Sequence, residues 1–190
     1  MDSSPGPNPN LIPSLHLVSE YLNQLGIPYA LTGGMALAVW GQPRSTADVD
    51  LFIAVASKDI ELLQHQLGSP FVFEPEELPF PHMRLFRAHL HGETKQILVT
   101  VDMIVVDSSW TASIVARRKL ISLQGKPIWV ATVEDLLLLK LFSLREKDHA
   151  DCRGIILQRG AQLDKEYIET WATTLGTSTA WNRLLESTKS

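Results

Sequence analysis

Asp48 and Asp50 lie two positions apart in the segment DVDLFIAV, which otherwise reads as an apolar strand. Side chains alternate along a strand, so both carboxylates leave from the same face. Two adjacent anions repel each other, and the simplest remedy is a hard divalent cation, Mg2+ or Mn2+, which prefers oxygen ligands and keeps waters and phosphates in its shell. A solvated strand edge is the commoner fate of surface aspartates. Against that stands the cost of charge at the mouth of an apolar strand. Upstream, Gly33-Gly34 follows the apolar segment YALT. Glycine backbone can approach a triphosphate closely, and amides opening a helix suit an anion. Tight strand-to-helix turns use glycine in any case, so the pair gains weight only from preceding the Asp-x-Asp strand. These residues point to cation-assisted chemistry on a nucleotide.

The flanking residues predict the elements that must hold this site. Leu15, Val18, Leu22 and Leu25 recur at helical spacing, and Gly26 and Pro28 stop that helix. A strand over 29–32, a short helix over 35–40 and a second strand over 49–55 follow, then a helix over 58–67 closed by Gly68 and Pro70. Residues 69–82 carry several prolines and acids and read as an irregular connection. Two apolar runs, 83–90 and 96–106, flank His-Gly-Glu-Thr and predict a hairpin. A strand over 127–131 precedes a strongly apolar helix to about Arg145, with Thr132 and Asp135 as a variant capping box. Beyond Lys147 the chain reads as mostly helical, Asp164 capping 165–174, and the last dozen residues are expected to fray. The fold class is α/β (α+β): a small mixed sheet of about five strands with helices packed against it. Residues 1–12 read as a disordered leader, 13–131 as the core and 132–190 as a helical C-terminal segment.

Composition narrows the function classes. The chain has 190 residues, 45% of them apolar, which suits one globular core. A formal charge of −4 gives no global attraction to a long polyanion. Cys152 is the only cysteine, so no intramolecular disulfide forms, and the N-terminal MDSSPGPNPN lacks the basic and apolar parts of a secretory signal. No apolar run is long enough to span a bilayer, so the expected location is cytoplasmic, with no membrane partner.

Gly33-Gly34 followed by Arg44-x-Thr46-x-Asp48-x-Asp50 resembles the nucleotidyltransferase superfamily with the polymerase-beta-like fold, in particular the small AbiEii-like toxins and antibiotic nucleotidyltransferases. The resemblance spans roughly 15–155. It implies a third acid on a neighbouring strand that binds the metal and takes the proton of the acceptor hydroxyl, and Asp102, interrupting the apolar run ILVTVDMIVV, fits. The other reading of Asp102 is a buried ion pair with an arginine. The resemblance also implies that Arg44 and Thr46 hold phosphates or order the metal loop, and that Lys140, in EDLLLLKLFSLREKDHAD, contacts the nucleotide. Lys140, Lys147, Asp148 and Asp151 would share one face if that helix continued. Lys140 could equally pack its stem on the core and snorkel.

The implied activity is transfer of NMP from an NTP to an acceptor hydroxyl with release of pyrophosphate. Asp48, Asp50 and Asp102 would be the metal ligands and catalytic acids, and Gly33, Gly34, Arg44, Thr46 and Lys140 would bind the nucleotide. The acceptor, whether tRNA, a small molecule or a protein, is not legible, and a toxin–antitoxin partner belongs among the implied partners. The alternative is a non-catalytic module of the same fold that binds nucleotide or recognises a partner. A phosphatase or nuclease using the same acids is a third option. Arg117-Arg118-Lys119 reads as a solvated helix face that could touch RNA or a phosphorylated acceptor. His89 and His91 lack a third ligand for zinc.

Overall fold

The computed structural model describes residues 8–42, 45–55, 59–75, 78–80, 83–142 and 145–188. Helix α1 (Leu11–Gln24) buries Leu11, Leu15, Val18 and Leu22. It ends where Gly26 adopts φ +67°, which lets the Ile27 N–H reach back to the Leu22 carbonyl at 2.8 Å. Strand β1 (Tyr29–Thr32) is buried throughout and runs into α2 (Gly33–Val39). There follow β2 (Asp48–Ile53), α3 (Ile60–Leu67), β3 (Phe71–Phe73), β4 (Leu78–Phe80), β5 (Met83–His91), β6 (Ile97–Val105) and α4 (Ser109–Arg117). The chain continues through β7 (Lys119–Leu123), β8 (Lys126–Val130), α5 (Val133–Phe142), α6 (Glu146–Arg159), α7 (Lys165–Thr174) and α8 (Ser178–Ser187).

The strands make one mixed sheet in the order β3-β5-β6-β2-β1-β8-β7, with β4 also paired to β5. β2 runs parallel to β6 and β1 parallel to β8, while the remaining pairs are antiparallel. Val49, Leu51 and Ile53 on one face of β2 and Phe52 on the other are all buried, so the central strands are covered on both sides. Helix α1 packs on β2, β6 and β8, and α4 on β1 and β2. Among the described residues no helix is long and apolar enough to cross a membrane.

The α/β class holds, with more strands than the five expected. β3 and β4 arise inside the proline-bearing connection. They lie beside β5 at the margin of the sheet, and Pro79, which has no N–H to give, is tolerated there. β7 forms because Gln124 and Gly125, at φ +48° and +82°, close a two-residue turn that folds 119–123 back on β8. Only Arg117 of the basic triplet is helical; Lys119 begins β7. Of the last dozen residues, expected to fray, those up to Ser187 belong to α8, anchored by buried Trp181 and Leu184, and 189–190 lie outside the described residues. The apolar helix expected to reach about Arg145 ends at Phe142, Arg145 is extended (φ −81°, ψ 138°), and α6 packs back against α5, so the helix does not continue through 140–151. Residues 8–12 contact the sheet and begin α1, Asn8 Nδ2 donating to the Leu98 carbonyl at 3.0 Å.

Candidate active site

Register decides which side chains meet. Asp50 on β2 lies opposite Asp102 on parallel β6 and opposite Thr32 on antiparallel β1. Asp102 in turn lies opposite Arg87 on β5. Paired positions project to the same side, so Arg87, Asp102, Asp50 and Thr32 form one row across four strands. The next row holds His89, Thr100 and Asp48. Asp48, Asp50 and Asp102 therefore share one face of the sheet, as strand alternation predicts for the first two.

The two central carboxylates lean apart. Arg87 grips Asp102 as a fork, Nε donating to Oδ1 at 2.7 Å and Nη2 to Oδ2 at 2.8 Å, with Asp102 only 6% exposed. This hydrogen bonding, above all, holds the Arg87 guanidinium still more firmly protonated than usual. The ion pair that the sequence offered as the other reading of Asp102 is thus present. Asp50 lies over the turn after β1. Gly33 there has φ +64°, and a Cβ at this position would stand 1.9 Å from Asp50 Oδ2 and 2.6 Å from its Cγ. Glycine is required twice over, by the backbone conformation and by the carboxylate laid against it.

Burial pushes the Asp48 carboxyl above the ordinary aspartate range, and the charge of Asp102 adds to the effect. Arg87, Lys147 and His89 pull in the other direction. The donor set, three hard carboxylates on one face with one of them under electrostatic stress, has the chemistry a divalent cation requires. Among the described residues no group of three His, Cys, Asp or Glu side chains is already gathered around a common point.

The remaining expected residues divide. Gly33 and Gly34 open α2 as anticipated. Thr46 Oγ1 donates a long 3.4 Å bond to the Asp48 carbonyl, ordering the approach to β2. Arg44 lies outside the described residues. Lys140 is buried, its ammonium within 2.9 Å of Asp148 and 2.5 Å of Asp151, and Arg145 also holds Asp148. This cluster staples α5 to α6, and the lysine whose charge acts on Asp48 is Lys147. Cys152, buried beside the cluster, has its thiol pushed up to about 12, chiefly by burial. A cavity of about 450 Å³ lined by Trp40, Arg117, Arg118, Glu134 and Arg159 includes none of the three aspartates.

Sequence reasoning passed over Arg87 and Glu74, and weighed His89 only as a zinc ligand. His89 Nε2 bonds Glu74 Oε1 at 3.0 Å, and its Nδ1 lies 3.4 Å from Thr100 Oγ1. The available signal was the polar alternation of Arg87 and His89 within an apolar strand, but it becomes meaningful only once the hairpin register sets them beside Asp102 and Thr100.

Comparison with known proteins bears on this geometry. The family model described as nucleotidyl transferase AbiEii toxin, type IV toxin–antitoxin system, matches residues 17–154. Among the curated proteins none matches. An antigenic nucleotidyltransferase-like protein from Paracoccidioides brasiliensis superposes with TM-score 0.54 at 21% identity, covering 92% of this chain and 91% of that one. A putative nucleotidyltransferase from Thermotoga maritima gives TM-score 0.55 at 12% identity over 84% of this chain and 100% of that one. ANT(2'')-Ia, solved with adenylyl-2''-tobramycin, gives TM-score 0.55 at 16% identity over 87% of this chain and 98% of that one. These likenesses establish a shared fold.

Proposed function

We propose, from the premise that this chain belongs to the AbiEii nucleotidyltransferase family, that it transfers a nucleoside monophosphate from an NTP to an acceptor hydroxyl and releases pyrophosphate. The observation that carries the reading is the pairing of Asp50 with Asp102 in adjacent parallel strands, with Asp48 on the same face. Asp48, Asp50 and Asp102 would hold Mg2+ or Mn2+, which when bound supplies positive charge to the phosphates and to the entering and leaving oxygens. Gly33 and Gly34 keep the floor beside Asp50 free of side chains, so a triphosphate can approach the backbone. Thr46 orders the approach to Asp48, and Arg44 supplies a fork of donors for phosphate oxygens. Lys140 would have to release one of its carboxylates to touch the nucleotide. Lys147, exposed and already acting on Asp48, is the better placed cation for the leaving pyrophosphate.

The acceptor is a hydroxyl of a tRNA, a small molecule or a protein, in the cytoplasm, and an antitoxin partner would be consistent with the family. One observation favours a second reading, a non-catalytic nucleotide-binding or partner-recognition module: both oxygens of Asp102 are engaged by Arg87. Incubation with each α-labelled NTP, Mg2+ and cell extract separates the two. Label transfer that disappears in Asp48→Ala supports the transferase, whereas nucleotide binding without transfer supports the module. Release of inorganic phosphate in place of pyrophosphate would point to a hydrolase.

A further inference from the structure

We infer that the cavity between the ends of α2, α4 and α6 is a second ligand site, which takes a small phosphorylated molecule by its phosphate group. The inference does not depend on the transferase reading. Four cations line the cavity, Arg117, Arg118, Lys119 and Arg159, against one carboxylate, Glu134, with Trp40 as an aromatic wall. Its volume of about 450 Å³ suits a phosphate carried on a compact organic body. The chain as a whole has a formal charge of −4, so this concentration of positive charge is local.

The backbone gathers the four. Helix α4 ends at Arg117, Arg118 is extended (φ −47°, ψ 150°) and Lys119 opens β7, so the basic triplet bends around one corner instead of lying along a helix face. Arg159 arrives in the last turn of α6, its Nε donating to the Trp40 carbonyl at 3.0 Å. Each guanidinium is laid on an aromatic ring: Arg117 over Tyr167 at 3.6 Å, Arg118 over Trp129 at 4.5 Å and Arg159 over Trp40 at 5.4 Å. Stacking fixes the plane of a guanidinium and leaves its edge N–H groups available, an arrangement suited to phosphate oxygens.

These donors are incompletely used. Nε of Arg117 and Nε of Arg118 are buried without a hydrogen-bond partner. Arg117 meets Glu134 and Asp164 only at 3.7 and 3.9 Å, beyond hydrogen-bond reach. Arg118 donates from Nη1 to the Val115 carbonyl. Among the described residues no carboxylate pairs with Arg118, Lys119 or Arg159.

The cavity is separate from the aspartate face. Helix α6 carries Lys147, whose charge acts on Asp48, in its first turn and Arg159 in its last, about 18 Å farther along the axis. Helix α2 sets Trp40 about 10 Å from Gly33. The positive charge is gathered in one concavity and not drawn out along a groove, which favours a phosphomonoester over a nucleic-acid strand.

The test is calorimetry on the full chain in EDTA, so that no divalent cation brings phosphate to the aspartates. Ribose-5-phosphate, AMP, adenosine and a single-stranded RNA are titrated into wild type, Lys119→Gln, Arg118→Gln and Asp48→Ala, with Tm measured for each. Both phosphomonoesters are expected to bind and adenosine is not. Arg118→Gln should weaken binding about tenfold and Lys119→Gln about threefold. AMP binding more tightly than ribose-5-phosphate makes the ligand a nucleotide, equal affinity makes it a phosphorylated sugar, and either result upholds the site. Lys119 is exposed, so its variant should keep the wild-type Tm and remains decisive if Arg118→Gln loses stability. Four results overturn the inference: no phosphomonoester binding by wild type, binding of RNA alone, affinity unchanged in Lys119→Gln and in any folded Arg118→Gln, or binding that Asp48→Ala abolishes, which would place the anion on the aspartate face.

Discussion

Replacing Gly33 by alanine should disturb the fold and the site through two separable effects. The first is conformational, because φ +64° costs an L-residue about 1–2 kcal/mol. The second is contact: the new Cβ would stand 1.9 Å from Asp50 Oδ2, 2.6 Å from Cγ and 3.0 Å from Cβ. The carboxylate must swing out of its position, off-rotamer or toward Asp102, for about another 1 kcal/mol. The sum, about 2–3 kcal/mol, corresponds to a fall in Tm of roughly 5–10 °C for a chain of this size. In Asp50→Ala only the 3.0 Å contact remains, so the same glycine substitution should cost about 1–2 kcal/mol. A double-mutant cycle by urea unfolding, without divalent cation, reads the difference as a coupling of about 1 kcal/mol and cancels whatever else Asp50 loses on truncation. Equal costs of Gly33→Ala in the two backgrounds would show that the Asp50 carboxylate does not rest on this glycine, and the account of the two leaning carboxylates would fail.

Three further predictions address the neighbouring charges. The Asp48 carboxyl is raised, so the folded state binds more protons than the unfolded chain and Asp48 lowers stability increasingly as pH climbs from the ordinary aspartate value through the raised one. Asp48→Asn should therefore be more stable than wild type at pH 7 without divalent cation, a gain that urea midpoints would show shrinking when Mn2+ is added. Arg87→Met releases both Asp102 oxygens and removes a positive charge, so calorimetry should find Mn2+ binding about tenfold tighter, or about 1.4 kcal/mol; unchanged or weaker binding would argue that Asp102 is not a ligand. Lys140→Met removes one of the cations that hold the wholly buried Asp148, with Arg145 still bonded to its other oxygen, and should cost about 2 kcal/mol of stability. Loss of nucleotide affinity with stability intact would instead make Lys140 a phosphate ligand.

The backbone of the site was legible because local rules decide it. Alternation set Asp48 and Asp50 on one face, Gly33-Gly34 marked the turn, and the Thr132 hydroxyl caps α5 by accepting from the Asp135 N–H at 3.3 Å. Asp164 likewise accepts from Tyr167 N–H at 3.0 Å. What could not be read depends on partners distant in sequence. Lys140 fits a phosphate contact until α6 turns back at Arg145 and brings Asp148 and Asp151 to its ammonium. Arg87 and His89 look like ordinary polar positions of a half-exposed strand until the hairpin register, which sets Arg87 opposite Asp102 fifteen residues on, gives them carboxylate and hydroxyl neighbours. β7 was hidden because Gln124, a poor left-handed residue, takes the place of the usual Asn in its turn.

Sheet order explains why the carboxylates stand apart and what would draw them together. β6 and β2 are adjacent, with β5 outside one and β1 outside the other. Asp102 is pulled outward by Arg87 on β5, and Asp50 lies outward over Gly33 at the end of β1. Each tilt lengthens the separation between two like charges whose backbones the parallel register holds side by side. Asp48, on the same face, has its carboxyl raised first by burial and then by the charge of Asp102. A cation seated between the strands would have to draw Asp102 back from Arg87, which holds it by two charge-assisted bonds that must be weakened. Arg87 should therefore be the residue that sets how tightly Asp102 engages a metal.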